Sequence, residues 1–376
     1  MSVGVSPALD GQTTNLTATG GGALVVTGAT SIVDIGMPNT NQNNAANNTT
    51  VDFTGLASFS ADVDNFRIGW DSKNTATLLG SNTANSITAN FLRIGHSNGD
   101  NAGNPIRLTL GTGTNEINAS TIQVGFSKGS GSIAFAAQTS GSPGTLTLRG
   151  AAGGSSAANM TLGSNNGTGT GATATGTLDL RGHVVDVLAD TVNLGIANQT
   201  NTGGGNGRIY FDAGTFAVNN LILGTKSNTG GGVATGLIEV GGGDFTVNSG
   251  GSFTLGSQVT AGSSNATLNL TGGTFTSNVD IVDGGGITNS TITLNGGTLD
   301  MSGNEIGPVF VGFSDPINNL NLRSGILQNV AEINSGGIVS KTTAGTLYLD
   351  GTNTWTGYTD VNDGTLVAIS TSALPG

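Results

Sequence analysis

The sequence predicts an all-β protein wound as a parallel β-helix, a β-solenoid of about 10–12 coils of about 30 residues with roughly three short strands each. Two repeating clusters carry this expectation. The first is an apolar-x-apolar-Gly run, as in "FRIG" ending at Gly69, "LRIG" at Gly95, "IQVG" at Gly125, "VNLG" at Gly195 and "LILG" at Gly224. With "IVDIG" at Gly36, "MTLG" at Gly163, "FTLG" at Gly256, "IVDG" at Gly284 and "VFVG" at Gly312, the intervals run from 26 to 38 residues. The second is an apolar-x-apolar pair on the same beat: Leu108/Leu110, Leu146/Leu148, Leu178/Leu180, Ile209/Phe211, Ile238/Val240, Leu268/Leu270, Ile292/Leu294, Leu320/Leu322 and Leu347/Leu349.

In several units a third pair follows a Gly-rich corner: Phe216/Val218 after "DAG", Phe245/Val247 after "GGGD" and Leu299/Met301 after "NGGT". Period-2 alternation separated by Gly, Asn and Asp reads as short strands and leaves no room for a helix. One such unit would expose an apolar face to water. Stacking each strand on its equivalent one coil on buries that face, at ~4.8 Å per coil, giving a rod on the order of 50–60 Å. A β-sandwich is the alternative, but its strands do not normally share one thirty-residue period. The whole chain, 1–376, therefore reads as one elongated domain. Residues 1–30 form a partial N-terminal coil, 31–341 about ten irregular coils, and 342–376 the last coil.

Composition narrows the function. The chain has 376 residues with Gly 65 and Pro 7, and the glycines lack a three-residue period, so it is not collagen. Its 35% hydrophobic residues fall in regular clusters, unlike a disordered chain. A net charge of −12, from 23 carboxylates against 11 bases, repels nucleic-acid phosphates. The absence of cysteine removes disulfides, thiolate catalysis and Cys-based zinc sites. No run of apolar residues is long enough to span a membrane as a helix. The opening "MSVGVSPALDG" lacks the pattern of a signal peptide, so an export signal is expected outside this chain.

The final coil, "AGTLYLDGTNTWTGYTDVNDGTLVAI" (344–369), resembles the autotransporter-associated β-strand repeat. The matching positions are Gly345, Leu347, Leu349, Gly351, Asn353, Thr354, Trp355, Gly357, Thr359, Val361, Gly364, Thr365 and Leu366. Upstream coils match loosely, as in "NLTGGTF" and "TLNGGTLDM". The resemblance implies a right-handed parallel β-helix and the passenger-like region of a bacterial protein that is secreted or displayed on the cell surface. The alternating strands and aromatic girdles of a translocator barrel are missing. Trp355 and Tyr358 read as packing residues, while Asn353 fits either an internal amide ladder or a turn.

Groups that could do chemistry are few. His96 and His183 lie about three coils apart by repeat count, too far for a shared metal site, and each reads as a surface or turn histidine. The outward position of the second cluster defines a column: Thr109, Thr147, Asp179, Tyr210, Glu239, Asn269, Thr293, Asn321 and Tyr348. Asp179 and Glu239 flank Tyr210 at ~10 Å from each other, a spacing open to a glycosidase pair. The column holds no Arg or Lys, and solvated carboxylates are the default for a solenoid face. It is too interrupted for a regular, ice-binding threonine array. No cofactor is expected. Calcium matches the Asp- and Asn-rich turns better than zinc, yet no EF-hand loop or G-G-x-G-x-D nonapeptide occurs. No glycine-rich stretch continues as a phosphate loop.

Length varies most between the first cluster's glycine and the second cluster, in 96–105, 126–144, 164–175 and 225–235. Such insertions would stack along one edge, where repeat proteins often bind partners. The candidate interaction residues are His96, Phe126, Lys128, Ile133, Phe135, Ser164, Thr225 and Lys226. Mere tolerance of length change explains the same pattern. The leading expectation is a non-enzymatic structural or adhesive rod outside the cell. Its partners are a host or cell-surface glycan or protein, or other copies of itself joined end to end through open strand edges. A carbohydrate-active β-helix enzyme, a polysaccharide lyase or hydrolase, is the alternative.

Overall fold

The computed structural model describes residues 1–3, 13–36, 48–70, 75–97, 106–136, 143–166, 171–199, 202–259, 262–310 and 314–374. Its regular elements are all β-strands. They pair in parallel with their equivalents one coil on, which makes the molecule a parallel β-helix. The lone antiparallel link among the described residues is an isolated bridge between Asp283 and Asp315.

Three stacks of strands build the coil. The first carries the glycine-ended cluster, with Asp34 beside Arg67, then Arg93, then Gln123. The second carries the apolar pairs, with Leu178 beside Ile209, then Ile238, then Leu268. The third carries Phe216 beside Phe245, then Phe275, then Leu299. The chain visits second, third and first stack in turn. Ile106–Leu110 lies in the second, and Thr114–Ser127 runs through the third and bends into the first. Alternate side chains point inward and merge into one continuous hydrophobic core. Phe216, Phe245 and Phe275 stack ring on ring along the axis, at 4.5 Å and 5.1 Å between centroids.

A seam of small residues explains how the first and second stacks come together. Along the second stack, Gly131, Gly176, Gly207, Gly236, Ala266 and Ser290 occupy one inward column. A Cβ on Gly236 would lie 2.8 Å from the Gly224 nitrogen, and one on Gly207 2.5 Å from the Gly195 nitrogen. Glycines of the first cluster therefore face glycines of the second across a backbone-to-backbone contact. At the Gly207 and Gly236 rungs an added Cβ would meet that backbone.

The seam corrects one strand assignment. The coil between Gly125 and Gly163 offers two similar strings, "GSIAF" (131–135) and "GTLTL" (144–148). The structure puts Ser130–Phe135 in the second stack, with Ile133 between Leu108 and Leu178. Thr145–Arg149 belongs to the third stack, where Leu146 lies between Asn115 and Val185. Residues 126–144 are thus no single insertion. Lys128 and Gly129 make a tight turn, and the extra length lies at 136–144 and in the corner at 150–157. Arg149 fastens that corner by donating to the carbonyls of Gly154 and Asp186 at 2.9 Å and 2.7 Å.

In the last coil, Leu347 and Leu349 are buried beside Leu366, which is half-buried on the terminal strand Thr359–Ala368. Trp355 is buried and donates its indole N–H to Thr359 Oγ1 at 3.2 Å, so it packs, whereas Tyr358 is exposed. Asn353 makes no amide ladder. It accepts from the Val330 amide at 3.0 Å and donates to the carbonyls of Asp350 and Ala373 at 3.1 Å and 2.8 Å, shaping the turn. Gly345 and Gly357 approach the Arg323 and Gly337 carbonyls too closely for a Cβ, and Gly364 has φ +76°. Val361, in register with the buried Lys341, is exposed.

Among the described residues, Asp283 is the most enclosed carboxylate. It accepts from Ser290 Oγ at 2.6 Å, Thr288 Oγ1 at 2.9 Å and the Gly285 amide at 3.0 Å. Burial pushes its carboxyl above the ordinary value despite these donors, and the nearby charge of Asp315 adds to the rise. The folded state then holds this proton more tightly than the unfolded chain. Stability falls as pH rises from the ordinary carboxylate value through the raised one. Asp283→Asn is expected to melt a few degrees above the parent at about pH 7, with the gap closing towards about pH 4. A gap of equal size at both pH values in thermal melts would refute this origin.

Candidate functional site

The outward column of the second stack is real, with two corrections. Thr109, Ala134, Asp179, Tyr210, Glu239, Asn269, Thr293 and Asn321 lie on successive rungs. Thr147 and Tyr348 do not belong to it. They sit in the third stack, beside Glu116 and Asp186, and beside Ile326 and Val367. Tyr210 separates Asp179 from Glu239 by one rung on each side, as the repeat count implies.

The base missing from the column comes from the corner that follows it. Arg181 donates to both oxygens of Asp179, at 2.8 Å and 2.6 Å, and its guanidinium lies 4.3 Å from the Tyr210 ring centre. His183 stacks on Phe135 at 3.6 Å with the rings nearly parallel, and its Nδ1 lies 3.0 Å from the Arg181 carbonyl oxygen. Together Ala134, Phe135, Asp179, Arg181 and His183 line an open cleft of about 360 Å³. Burial raises the Asp179 carboxyl, but hydrogen bonds and charge from Arg181 outweigh it and leave the group below its ordinary value. The same hydrogen bonding to Asp179 raises the Arg181 guanidinium. A carboxylate held ionised by its own arginine is a poor proton donor and a good charged contact.

A second cluster lies on the outer face of the first stack. His96 is buried between Trp70 and Phe126, its ring 3.9 Å and 5.7 Å from theirs. Arg67 grips Asp34 through both ends of the guanidinium. Arg93, one rung on, lies 4.7 Å from the Trp70 ring centre and 4.3 Å from that of Phe91. The sequence carried a signal for this cluster: Arg precedes Ile-Gly in both "FRIG" and "LRIG", and an aromatic ring follows the glycine at 70, 96 and 126. It becomes meaningful once the register places those residues side by side.

The candidate loop residues are mostly structural. Lys128 and Lys226 are buried, as is Lys341 in the last coil. Each lies at a corner, and Lys226 donates to the Gln199 carbonyl at 3.4 Å. Burial lowers the Lys226 ammonium. Ile133 and Ser164 are buried and Phe126 and Thr225 half-buried, while Phe135 forms one wall of the cleft. Neither His96 nor His183 is a surface histidine, since both rings are buried against aromatic neighbours. Parts of the loops, at 98–105, 137–142 and 167–170, and Gly312 of the last first-cluster repeat lie outside the described residues.

Among the described residues, no group of three His, Asp or Glu side chains is placed to hold a metal ion, and no helix is long and apolar enough to cross a membrane. No family model, curated protein or solved structure matches the chain.

Proposed function

We propose that the protein is a non-enzymatic structural or adhesive rod, secreted or displayed outside the cell, that joins end to end into fibres. The observation that carries this is the state of its two terminal rungs. Leu16, Leu24 and Val26 point into the coil but stay half-buried, whereas their partners one rung in, Val51, Phe59 and Ala61, are buried. At the other end, Thr359–Ala368 pairs only with Val339–Asp350 among the described residues, leaving Leu366 half-buried and Val361 exposed. Among the described residues these edges pair with no further strand, and an apolar rung of this kind is a template for another parallel strand. The repeat-like last coil supports the extracellular location.

Sedimentation velocity and electron microscopy over rising concentration test the assembly. Rods in multiples of one molecular length are expected, and Leu366→Lys should prevent them by placing a charge in the seam. A strictly monodisperse monomer at high concentration would overturn it.

The cleft at Asp179 favours one second reading, a carbohydrate-active enzyme, because a carboxylate, an arginine and a histidine line it, with Tyr210 one rung and Glu239 two rungs along the column. The ionised state of Asp179 weighs against its acting as the acid. Release of new reducing ends or unsaturated products from acidic polysaccharides would establish it.

A further inference from the structure

We propose that Arg93 anchors a binding site for an acidic sugar, a glycan bearing a carboxylate or sulfate group, on the outer face of the first stack. A guanidinium has five N–H donors. Arg93 spends two of them on neutral acceptors, Gln123 Oε1 at 3.0 Å and Asn65 Oδ1 at 3.1 Å. Arg67 on the preceding rung is instead neutralised by Asp34. Asp64, whose charge partly offsets that of Arg93, has its oxygens occupied by the amides of Asn65 and Asn90 at 2.6 Å and 2.7 Å. Arg93 is half-buried, so its charge is only partly hydrated. Burial first, then repulsion from Arg67, lower its pKa, and the opposite charge of a bound anion would offset them.

The surroundings select a sugar acid over a bare anion. Planar oxyanions match the remaining fork of N–H groups. Trp70, itself stacked on His96, and Phe91 lie against the guanidinium as half-buried rings and hold it in place for a ligand. Beyond Arg93 the same outward column continues as Gln123, Thr161 and Asn193. These neutral hydrogen-bonding groups recur at ~4.8 Å, close to the length of one sugar unit. A chain lying along the axis would put its acid on Arg93 and its hydroxyls on successive rungs.

The proposal rests on the rod reading only for its setting outside the cell, and the two fail separately. The test is titration calorimetry with an oligogalacturonate, a heparin-derived hexasaccharide and neutral maltohexaose. The first carries carboxylates alone and the second sulfates as well, so binding of the second only would point to sulfate. At least one acidic probe should bind, more weakly as salt rises. Arg93→Gln should lose about tenfold or more in affinity while fibre formation persists, and Arg323→Gln, a distant charge control, should bind like the parent. Arg93→Lys, which keeps the charge and stem but not the fork, should fall between and serves if the Gln variant does not fold. Three results would overturn the site: no acidic probe binds, maltohexaose binds as tightly, or the Arg93 and Arg323 variants behave alike.

Discussion

Gly195→Val is expected to leave little folded protein. Gly195 ends a first-stack strand with φ +70°, a conformation that costs a β-branched residue ~1–2 kcal/mol or more. A Cβ there would also overlap the carbonyl of Thr235 in the neighbouring second-stack strand. Both obstacles are backbone, so no rotamer relieves them, and the two strands must part. A loss above ~4 kcal/mol is expected, at the extreme of single substitutions. Gly250→Ala is the matched control. Gly250 has φ +79°, yet nothing lies within 4 Å of an added Cβ, so only the strain of ~1–2 kcal/mol applies. Urea titration followed by circular dichroism should separate the two variants. If Gly195→Val unfolds at the midpoint of Gly250→Ala, close packing across the seam is not what the glycine serves.

The contrast between these glycines shows what could be read from sequence and what could not. Alternation and period made the three strands legible wherever a coil offered one apolar pair per stack, as at Leu178/Leu180 or Ile238/Val240. They failed where a coil offered two equivalent strings. "GSIAF" and "GTLTL" have the same pattern, and only the contact of Gly131 with the Gly125 backbone selects the first. The second string would carry Thr147 out of its true stack, and Tyr348 resembles a second-stack residue because its leucine neighbours look like those there. The buried lysines were missed for another reason. Lys128 and Lys226 occur in glycine- and serine-rich strings that look like surface loops, and what they cover is set by coils some thirty residues away. The candidate sites follow the same logic. Asp179, Tyr210 and Glu239 were legible because they recur at the repeat interval, whereas Arg181 enters from a corner off the column. The pairing of His96 with Trp70 and of His183 with Phe135 depends on register that a histidine count does not contain.

Phe245→Ala is expected to cost ~3–5 kcal/mol from lost burial and the cavity left behind. Phe245 is fully buried between Phe216 and Phe275, with ring planes within 8° and 12°, and Phe211 meets it edge-on at 6.1 Å. The lost aromatic contacts, ~0.5–1.5 kcal/mol for each pair, are part of that cost and place it towards the upper end of the range. Where that energy is lost matters as much as its size. In a solenoid each coil is held mainly by its two neighbours, so stability is a sum of coil terms and nearest-neighbour interfaces. The damage should therefore stay in the coils that share the Phe stack. Amide hydrogen exchange should accelerate in Gly214–Lys226, Val233–Gln258 and Ser263–Ser277. Ile106–Leu110, several rungs away, should keep its protection. Uniform acceleration along the whole chain would mean that the rod unfolds as one cooperative unit. The continuous core, rather than the contact between adjacent coils, would then set its stability.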